Sequence, residues 1–176
     1  DITGISNIFS KIDFIDIDIE PLEKVFIKYK INLVIHMATL YGKEKGDLSD
    51  MVECNIIQPL RLYDLSIRYG VKYFINTDTI LNRHTNYYSL SKKQFLEWLP
   101  YWKGEIKILN IILDSFYGPD GRHTQFITSL VRQMLLNKRT INLTFGDQRR
   151  CFIYIDDLVS FYELIIKNIN HYTEGY

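Results

Sequence analysis

The sequence predicts an α/β fold built around a parallel β-sheet. Apolar runs rich in β-branched and aromatic residues alternate with stretches whose apolar residues recur at helical spacing. The chain has 176 residues, 47% of them hydrophobic, which is enough for one substantial core. Because no internal repeat, low-complexity tract or charged linker interrupts the alternation, we expect one domain or most of one.

The predicted elements follow one another as strand and helix. Strands are predicted at residues 12–18, 32–38, 72–77 and 106–112, where β-branched and aromatic residues dominate, with shorter strands near 141–145 and 152–155. Helices are predicted at 21–29, 48–69, 88–99, 124–137 and 157–169. Pro21 suits a first helical turn and Gly70 suits a helix end.

Composition excludes several classes of function. Lys and Arg together number 21, as do Asp and Glu, so no broad charge would hold nucleic acid or an anionic membrane. No apolar run approaches the roughly 18 residues that a membrane span requires. Cys54 and Cys151 lie far apart without a CxxC motif, which argues against a disulfide framework or zinc site and fits a cytoplasmic protein. The four histidines lack metal-ligand spacing, so no metal is predicted; they are His36, His84, His123 and His171.

The most specific chemical feature is Tyr88 followed four positions later by Lys92 at the start of a predicted helix. This spacing places both side chains on one helix face, about 5–6 Å apart at Cβ. An ammonium beside a phenol is expected to lower the pKa of Tyr88 and to support proton transfer to a carbonyl oxygen. Tyr87 has Ser91 rather than a cation at that spacing. By itself, the Tyr88–Lys92 spacing is also compatible with a half-buried Tyr beside a solvated Lys that has no catalytic role.

Ligands of open parallel sheets bind at the carboxyl ends of the strands. The predicted strand that ends at Thr77 precedes Tyr88 by one short loop. The Thr77 hydroxyl could therefore share a substrate oxygen with Tyr88, although a turn hydrogen bond is its ordinary use.

Several motifs in order resemble the extended short-chain dehydrogenase/reductases, the family of nucleotide-sugar epimerases, dehydratases and 4-ketoreductases. Residues 34–38 read VIHMA, similar to the family's VIHLAA, and Asn55 stands where a helix Asn stabilises the central sheet. Residues 117–119 read YGP, as in NVYGP, and residues 146–157 read GDQRRCFIYIDD, similar to GDGxQxRDFIYVDD. The resemblance covers nearly the whole chain.

This resemblance implies a Rossmann-like doubly wound parallel sheet that binds NAD or NADP. Residues 1–116 would form part of the cofactor domain, and 117–176 the start of a small substrate lobe with a returning strand and helix. The glycine-rich first βαβ unit that cradles the dinucleotide pyrophosphate does not occur in the sequence. We therefore expect a piece of a longer protein, truncated at both ends, that binds dinucleotide poorly by itself.

The resemblance also assigns residues to roles. Tyr88 exchanges the proton, Thr77 steadies the carbonyl oxygen, and Lys92 holds the ribose and tunes Tyr88. The remaining cofactor contacts would be Asp18 at the adenine, Ile19, Ala38, Thr39 and Asn55. The substrate contacts would be Asp78, Thr79 and Arg150, with Arg150 on the pyrophosphate of a nucleotide sugar.

Departures from the family pattern narrow the choice of reaction. Dehydratases carry Thr-Asp-Glu where residues 77–79 read TDT, so the base for dehydration is missing. The short loop before Tyr88 resembles CDP-sugar 4-ketoreductases, which serve O-antigen and lipopolysaccharide synthesis. Cys151 and Ser115 depart from the usual Asp and Asn. A 4-epimerase and a non-catalytic piece of such an enzyme remain alternatives.

The long helices predicted at 48–69 and 88–99 resemble those that form four-helix dimer interfaces in the family. A homodimer is therefore expected for the full-length protein.

Overall fold

The computed structural model describes residues 12–41, 48–101, 104–119, 121 and 125–172. His123 and the first residue of the helix predicted at 124–137 lie outside these ranges, as do residues 1–11 of the first predicted domain and residues 173–176 of the second.

Two parallel sheets form the framework. Strands β1 (Leu33–His36), β2 (Tyr73–Thr79) and β3 (Lys107–Leu113) lie side by side in that order, all parallel. Strands β4 (Ser115–Tyr117) and β5 (Phe152–Tyr154) form a second parallel pair. The strands predicted at 32–38, 72–77, 106–112 and 152–155 are confirmed, as is their parallel arrangement.

Helices connect the strands close to the predicted positions. They are α1 (Glu23–Lys28), α2 (Leu48–Val52), α3 (Gln58–Arg68), α4 (Tyr87–Trp98), α5 (Phe126–Leu135) and α6 (Ile155–Lys167). A π-helical turn at Glu53–Ile57 joins α2 to α3, so the helix predicted at 48–69 is continuous but locally widened. Gly70 follows α3 with a φ of 69°, which is the helix-ending conformation expected there.

Helices cover both faces of the main sheet. Phe74 and Ile75 are adjacent on β2, point to opposite faces, and are both fully buried. Phe74 lies in a cluster with residues of α1, α3 and α4, whereas Ile75 lies in a cluster with Leu158, Tyr162 and Ile165 of α6. This is the doubly wound arrangement that the sequence predicts.

Two predicted strands are wrong. Residues 12–16 have no regular structure and 17–19 form a turn, while residues 141–145 are irregular. Ile12, Phe14 and Phe145 are exposed. A strand requires hydrogen bonds from a neighbour, and among the described residues neither segment is paired in a sheet.

The chain after residue 117 returns to the main sheet through α6. A Cβ on Gly118 would collide with the side chain of Ile155, so this turn requires glycine. The close approach fixes the start of α6 beside β4. The division at residues 116 and 117 and the homodimer remain predictions. No helix within the described ranges is both long and apolar enough to cross a membrane.

Candidate functional site

A cavity of about 930 Å³ opens at the carboxyl ends of the strands of the main sheet. Its wall includes Thr77, Asp78 and Thr79 at the end of β2 and Tyr88 and Lys92 on α4. This is the edge at which open parallel sheets bind ligands. The structure therefore brings the three predicted catalytic residues to one cavity.

A cap at the start of α4 places Tyr88 on the cavity wall. The Asn86 side chain accepts a hydrogen bond of 2.8 Å from the backbone N–H of Ser89. The Asn86 backbone N–H donates in return to the Ser89 hydroxyl at 3.2 Å. This reciprocal cap satisfies two backbone donors at the helix start. Tyr88 consequently lies in the first helical turn, and Lys92 one turn later.

The phenol of Tyr88 is stacked and hydrogen-bonded by protein groups. Its ring lies 4.6 Å from that of Tyr41, centroid to centroid. Burial raises the pKa of Tyr88 most, followed by the charge and hydrogen bond of Tyr41 and then by Asp78; a hydrogen bond from Thr79 opposes them. The expectation that Lys92 lowers this pKa is wrong for this structure, because desolvation dominates. Tyr88 is a protonated phenol at neutral pH.

Lys92 is a buried ammonium on the same wall, with 2% of its surface exposed. Burial lowers its pKa from 10.5 to about 8, with Lys93 contributing in the same direction; Asp78 and Cys54 oppose the change. Most molecules therefore carry a charged Lys92 at neutral pH, close to its titration.

Thr77 shares its hydroxyl with a residue that sequence reasoning missed. The Thr77 and Tyr162 oxygens lie 2.6 Å apart. Burial raises the pKa of Tyr162, and the bond to Thr77 opposes this increase. Tyr162 comes from α6, so only the fold brings it to β2. A lone Tyr on an amphipathic helix gives no sequence signal for such a contact.

Asn55 connects the loop after β1 to α4. Its side-chain oxygen accepts from the backbone N–H of Leu40 at 2.7 Å and from the Thr39 hydroxyl at 3.2 Å. Its amide donates to the Leu40 carbonyl and to the Ser91 hydroxyl, each at 2.9 Å. Asn55 thus fixes the cavity wall at Thr39 from within the π-helical turn, and its predicted cofactor role would be indirect.

The other predicted binding residues are divided between the cavity and the surface. Thr39 and Arg150 line the cavity, and Arg150 also pairs with Asp114 at 3.5 Å. Asp18 and Ile19 lie in an exposed turn, and the structure does not bring them to the cavity wall. Ala38 is exposed next to the lining residue Thr39.

A backbone contact stabilises the carboxylate of Asp114. The pKa of Asp114 lies below its usual value, mainly because the backbone N–H of Cys151 donates to it, with Ser115 and Arg150 adding to the effect against burial. Within the described part of the chain, no three His, Cys, Asp or Glu side chains form a group that could hold a metal ion.

The parallel sheet with helices on both faces agrees with the family comparison. Residues 5–175 match the model of the NAD dependent epimerase/dehydratase family, and the chain belongs to this family.

Among characterised proteins, the chain is 31% identical over 164 residues to CDP-abequose synthase of Salmonella typhimurium, covering 87% of this chain and 55% of that protein. It is 28% identical to dTDP-D-glucose 4,6-dehydratase of Dictyostelium discoideum, covering 86% and 42%. The chain thus spans about half the length of the curated relatives it matches.

Two solved structures of similar fold are 4-epimerases bound to UDP-sugars. A variant of UDP-glucuronic acid 4-epimerase from Bacillus cereus, bound to NAD and a UDP-sugar, superposes with a TM-score of 0.78 at 22% identity, over 94% of this chain and 59% of the other. UDP-glucose 4-epimerase from Thermotoga maritima gives a TM-score of 0.68 at 22% identity, over 78% and 52%. These likenesses confirm the Rossmann-like fold.

Proposed function

We propose that the full-length protein reduces the 4-keto group of a nucleotide-linked deoxyhexose with NADH or NADPH. The observation that carries this proposal is the placement of Tyr88 and Lys92 on one cavity wall, beside the hydroxyls of Thr77 and Thr79. Carbonyl reduction requires a hydride donor, a proton donor and a group that polarises the oxygen. This wall supplies the proton donor and the group that polarises the oxygen.

The cavity fits the nicotinamide and ribose part of a dinucleotide. Lys92 offers a buried ammonium to ribose hydroxyls, and Met37, Ile80 and Leu113 add apolar surface to the same lining. The name of the family, NAD dependent, supports this cofactor. The bound cofactor would supply a hydride to C4 of the sugar.

The protein residues would complete the reduction by transferring one proton to the substrate. Tyr88 is a protonated phenol at neutral pH, so it would give its proton to the carbonyl oxygen as the carbon accepts hydride. The C=O double bond becomes C–OH, and the Tyr88 oxygen is left as a phenolate. Solvent would then return a proton to Tyr88, while the Lys92 ammonium would hold the ribose of the cofactor. Thr77 donates to the same oxygen, while Tyr162 orients its hydroxyl.

The site lacks the arrangement for removing water from the sugar. Thr79 occupies the position of the dehydratase Glu, and its side chain bonds to Tyr88. A threonine hydroxyl is a poor base at neutral pH. The geometry therefore favours reduction over 4,6-dehydration.

Arg150 is proposed to bind the pyrophosphate of the substrate. It lies on the cavity wall with 45% of its side chain exposed, so its guanidinium can contact both Asp114 and a ligand. Planar guanidinium donors match paired phosphate oxygens. The relatives named CDP-abequose synthase, from Salmonella typhimurium and Salmonella muenchen, support a CDP-linked sugar.

The test is NAD(P)H oxidation by the full-length protein with CDP-4-keto-3,6-dideoxyglucose. Tyr88→Phe should lower kcat/KM by at least about 100-fold, as expected for loss of a general acid. Tyr87→Phe is the matched control, because Tyr87 is exposed one residue earlier on the same helix. No oxidation by wild type with either cofactor would refute the proposal in favour of a 4-epimerase or a non-catalytic protein.

A further inference from the structure

A second lysine of α4 forms a part-buried ion pair beside the catalytic wall. The Lys93 ammonium lies 2.6 Å from Asp78 Oδ2 and 2.7 Å from the carbonyl oxygen of Thr79. The Asp78 side chain has no exposed surface, and that of Lys93 is 22% exposed. Lys93 therefore ties α4 to the end of β2 through a side chain and a backbone oxygen.

Both oxygens of Asp78 accept hydrogen bonds from the protein. Oδ1 accepts from the backbone N–H of Thr79 at 2.7 Å. Oδ2 accepts from Lys93 and, at 3.3 Å, from the side-chain amide of Asn110. A carboxylate in this setting cannot reach a substrate unless these bonds break, although Asp78 is one of the residues that line the cavity.

A chain of donors crosses the sheet and ends on Asp78. His36 Nδ1 lies 3.1 Å from Asn76 Oδ1, and the Asn76 amide donates to Asn110 Oδ1 at 2.7 Å. The Asn110 amide then donates to Asp78. The aligned residues on β1, β2 and β3 make this chain possible, since His36 is opposite Asn76 and Asn76 is opposite Asn110. Hydrogen bonds that point in one direction reinforce each other in a buried site.

We propose that Lys93 is a positioning residue, which holds α4 against the end of β2 through its ion pair with Asp78. The same ion pair keeps the Asp78 carboxylate buried, where its negative charge balances the positive charge of Lys92. This inference rests on the proposed function, because it assigns Lys92 and Tyr88 to the reaction. It also gives Asp78 a role other than substrate binding or acid catalysis.

The charged groups around Lys92 determine whether its pKa rises or falls when one of them is removed. Asp78 on β2 and Cys54 in the π-helical turn raise the pKa of Lys92, whereas Lys93 on α4 lowers it. His36 on β1 also faces Lys92, but burial lowers the pKa of His36 to about 4 and keeps it neutral. Removing the charge of Lys93 should therefore raise the pKa of Lys92, and removing that of Asp78 should lower it.

The experiment compares Lys93→Met, Lys93→Gln, Lys93→Arg and Asp78→Asn in the full-length protein. The Cε resonances of 13C-labelled lysines are followed by NMR against pH, and Lys92 is assigned from the spectrum of Lys92→Arg. Relative to wild type, the titration midpoint of Lys92 should rise in Lys93→Met and Lys93→Gln, fall in Asp78→Asn, and stay within about half a unit in Lys93→Arg. Lys167→Met is the control, because it removes an exposed ion pair with Glu163.

Kinetics provide the second measurement. Lys93→Met should lower kcat by about tenfold or more with KM within about threefold, because a displaced helix misplaces Tyr88 and not the substrate pyrophosphate contact. Lys93→Arg should restore most of kcat. Unchanged midpoints in the NMR titration of Lys93→Gln would overturn the inference even if the protein proves inactive. An inactive wild type with the expected midpoints would instead overturn only the proposed reaction.

Discussion

His36 should make the folded protein sensitive to acid. The imidazole is 5% exposed at the end of β1, and its pKa is lowered from 6.5 to about 4, first by burial and then by the charge of Lys92. Bonds to Asn76 and to the Ala38 backbone oppose the change without reversing it. The unfolded chain therefore binds a proton at this residue more readily than the folded chain does.

The sign and size of the effect follow from these pKa values. Well above pH 6.5 His36 is neutral in both states, so its contribution is constant. As pH falls from 6.5 towards about 4, the unfolded state gains a proton and the folded state does not, so stability is lost. At about 1.36 kcal/mol per unit, the full loss is roughly 3 kcal/mol, of which roughly 2 kcal/mol is reached by pH 5.

The assay is urea unfolding of the full-length protein at pH 7 and pH 5. His36→Gln cannot titrate but keeps an amide donor for Asn76. Wild type should lose roughly 2 kcal/mol more than His36→Gln between these pH values. His84→Gln is the control, because His84 is exposed and should leave the wild-type dependence intact. Equal losses in wild type and His36→Gln would refute the argument from burial.

Two further substitutions test the framework around the site. Asn55→Ala should destabilise the protein by about 2–4 kcal/mol in urea unfolding, because it leaves the backbone of Leu40 without its buried partner; a loss below about 0.5 kcal/mol would contradict the role of Asn55 as a clamp. Tyr162→Phe should lower kcat/KM for ketone reduction by about tenfold, since Thr77 loses the contact that orients it. Full activity in Tyr162→Phe, with activity lost in Thr77→Val, would show that Thr77 needs no such partner.

Local sequence patterns predicted the central strands, their helices and the pair on α4. The first half of β2 is apolar because Phe74 and Ile75 are buried on opposite faces of the sheet. The spacing of Tyr88 and Lys92 fixes a shared helix face. The segment at 12–18 has similar residues but no strand, since pairing depends on a neighbouring strand and not on local composition.

Contacts between distant elements could not be predicted from local patterns. Tyr162 reaches Thr77 only because α6 packs on β2, and Lys93 meets Asp78 only because α4 docks at the end of that strand. The raised pKa of Tyr88 has the same origin. Spacing along a helix predicts which charged residue lies next to Tyr88. The burial that dominates the pKa of Tyr88 is a property of the whole fold and cannot be read from that spacing.

Deuteride transfer tests the central claim most directly. The full-length protein would be incubated with CDP-4-keto-3,6-dideoxyglucose and NADH or NADPH carrying deuterium at the hydride position, and the sugar product examined by NMR and mass spectrometry. Reduction predicts one deuterium at C4 of the product, a new hydroxyl there, and one oxidised cofactor per sugar. A sugar without deuterium, or one altered with no net consumption of cofactor, would contradict the assignment as a 4-ketoreductase.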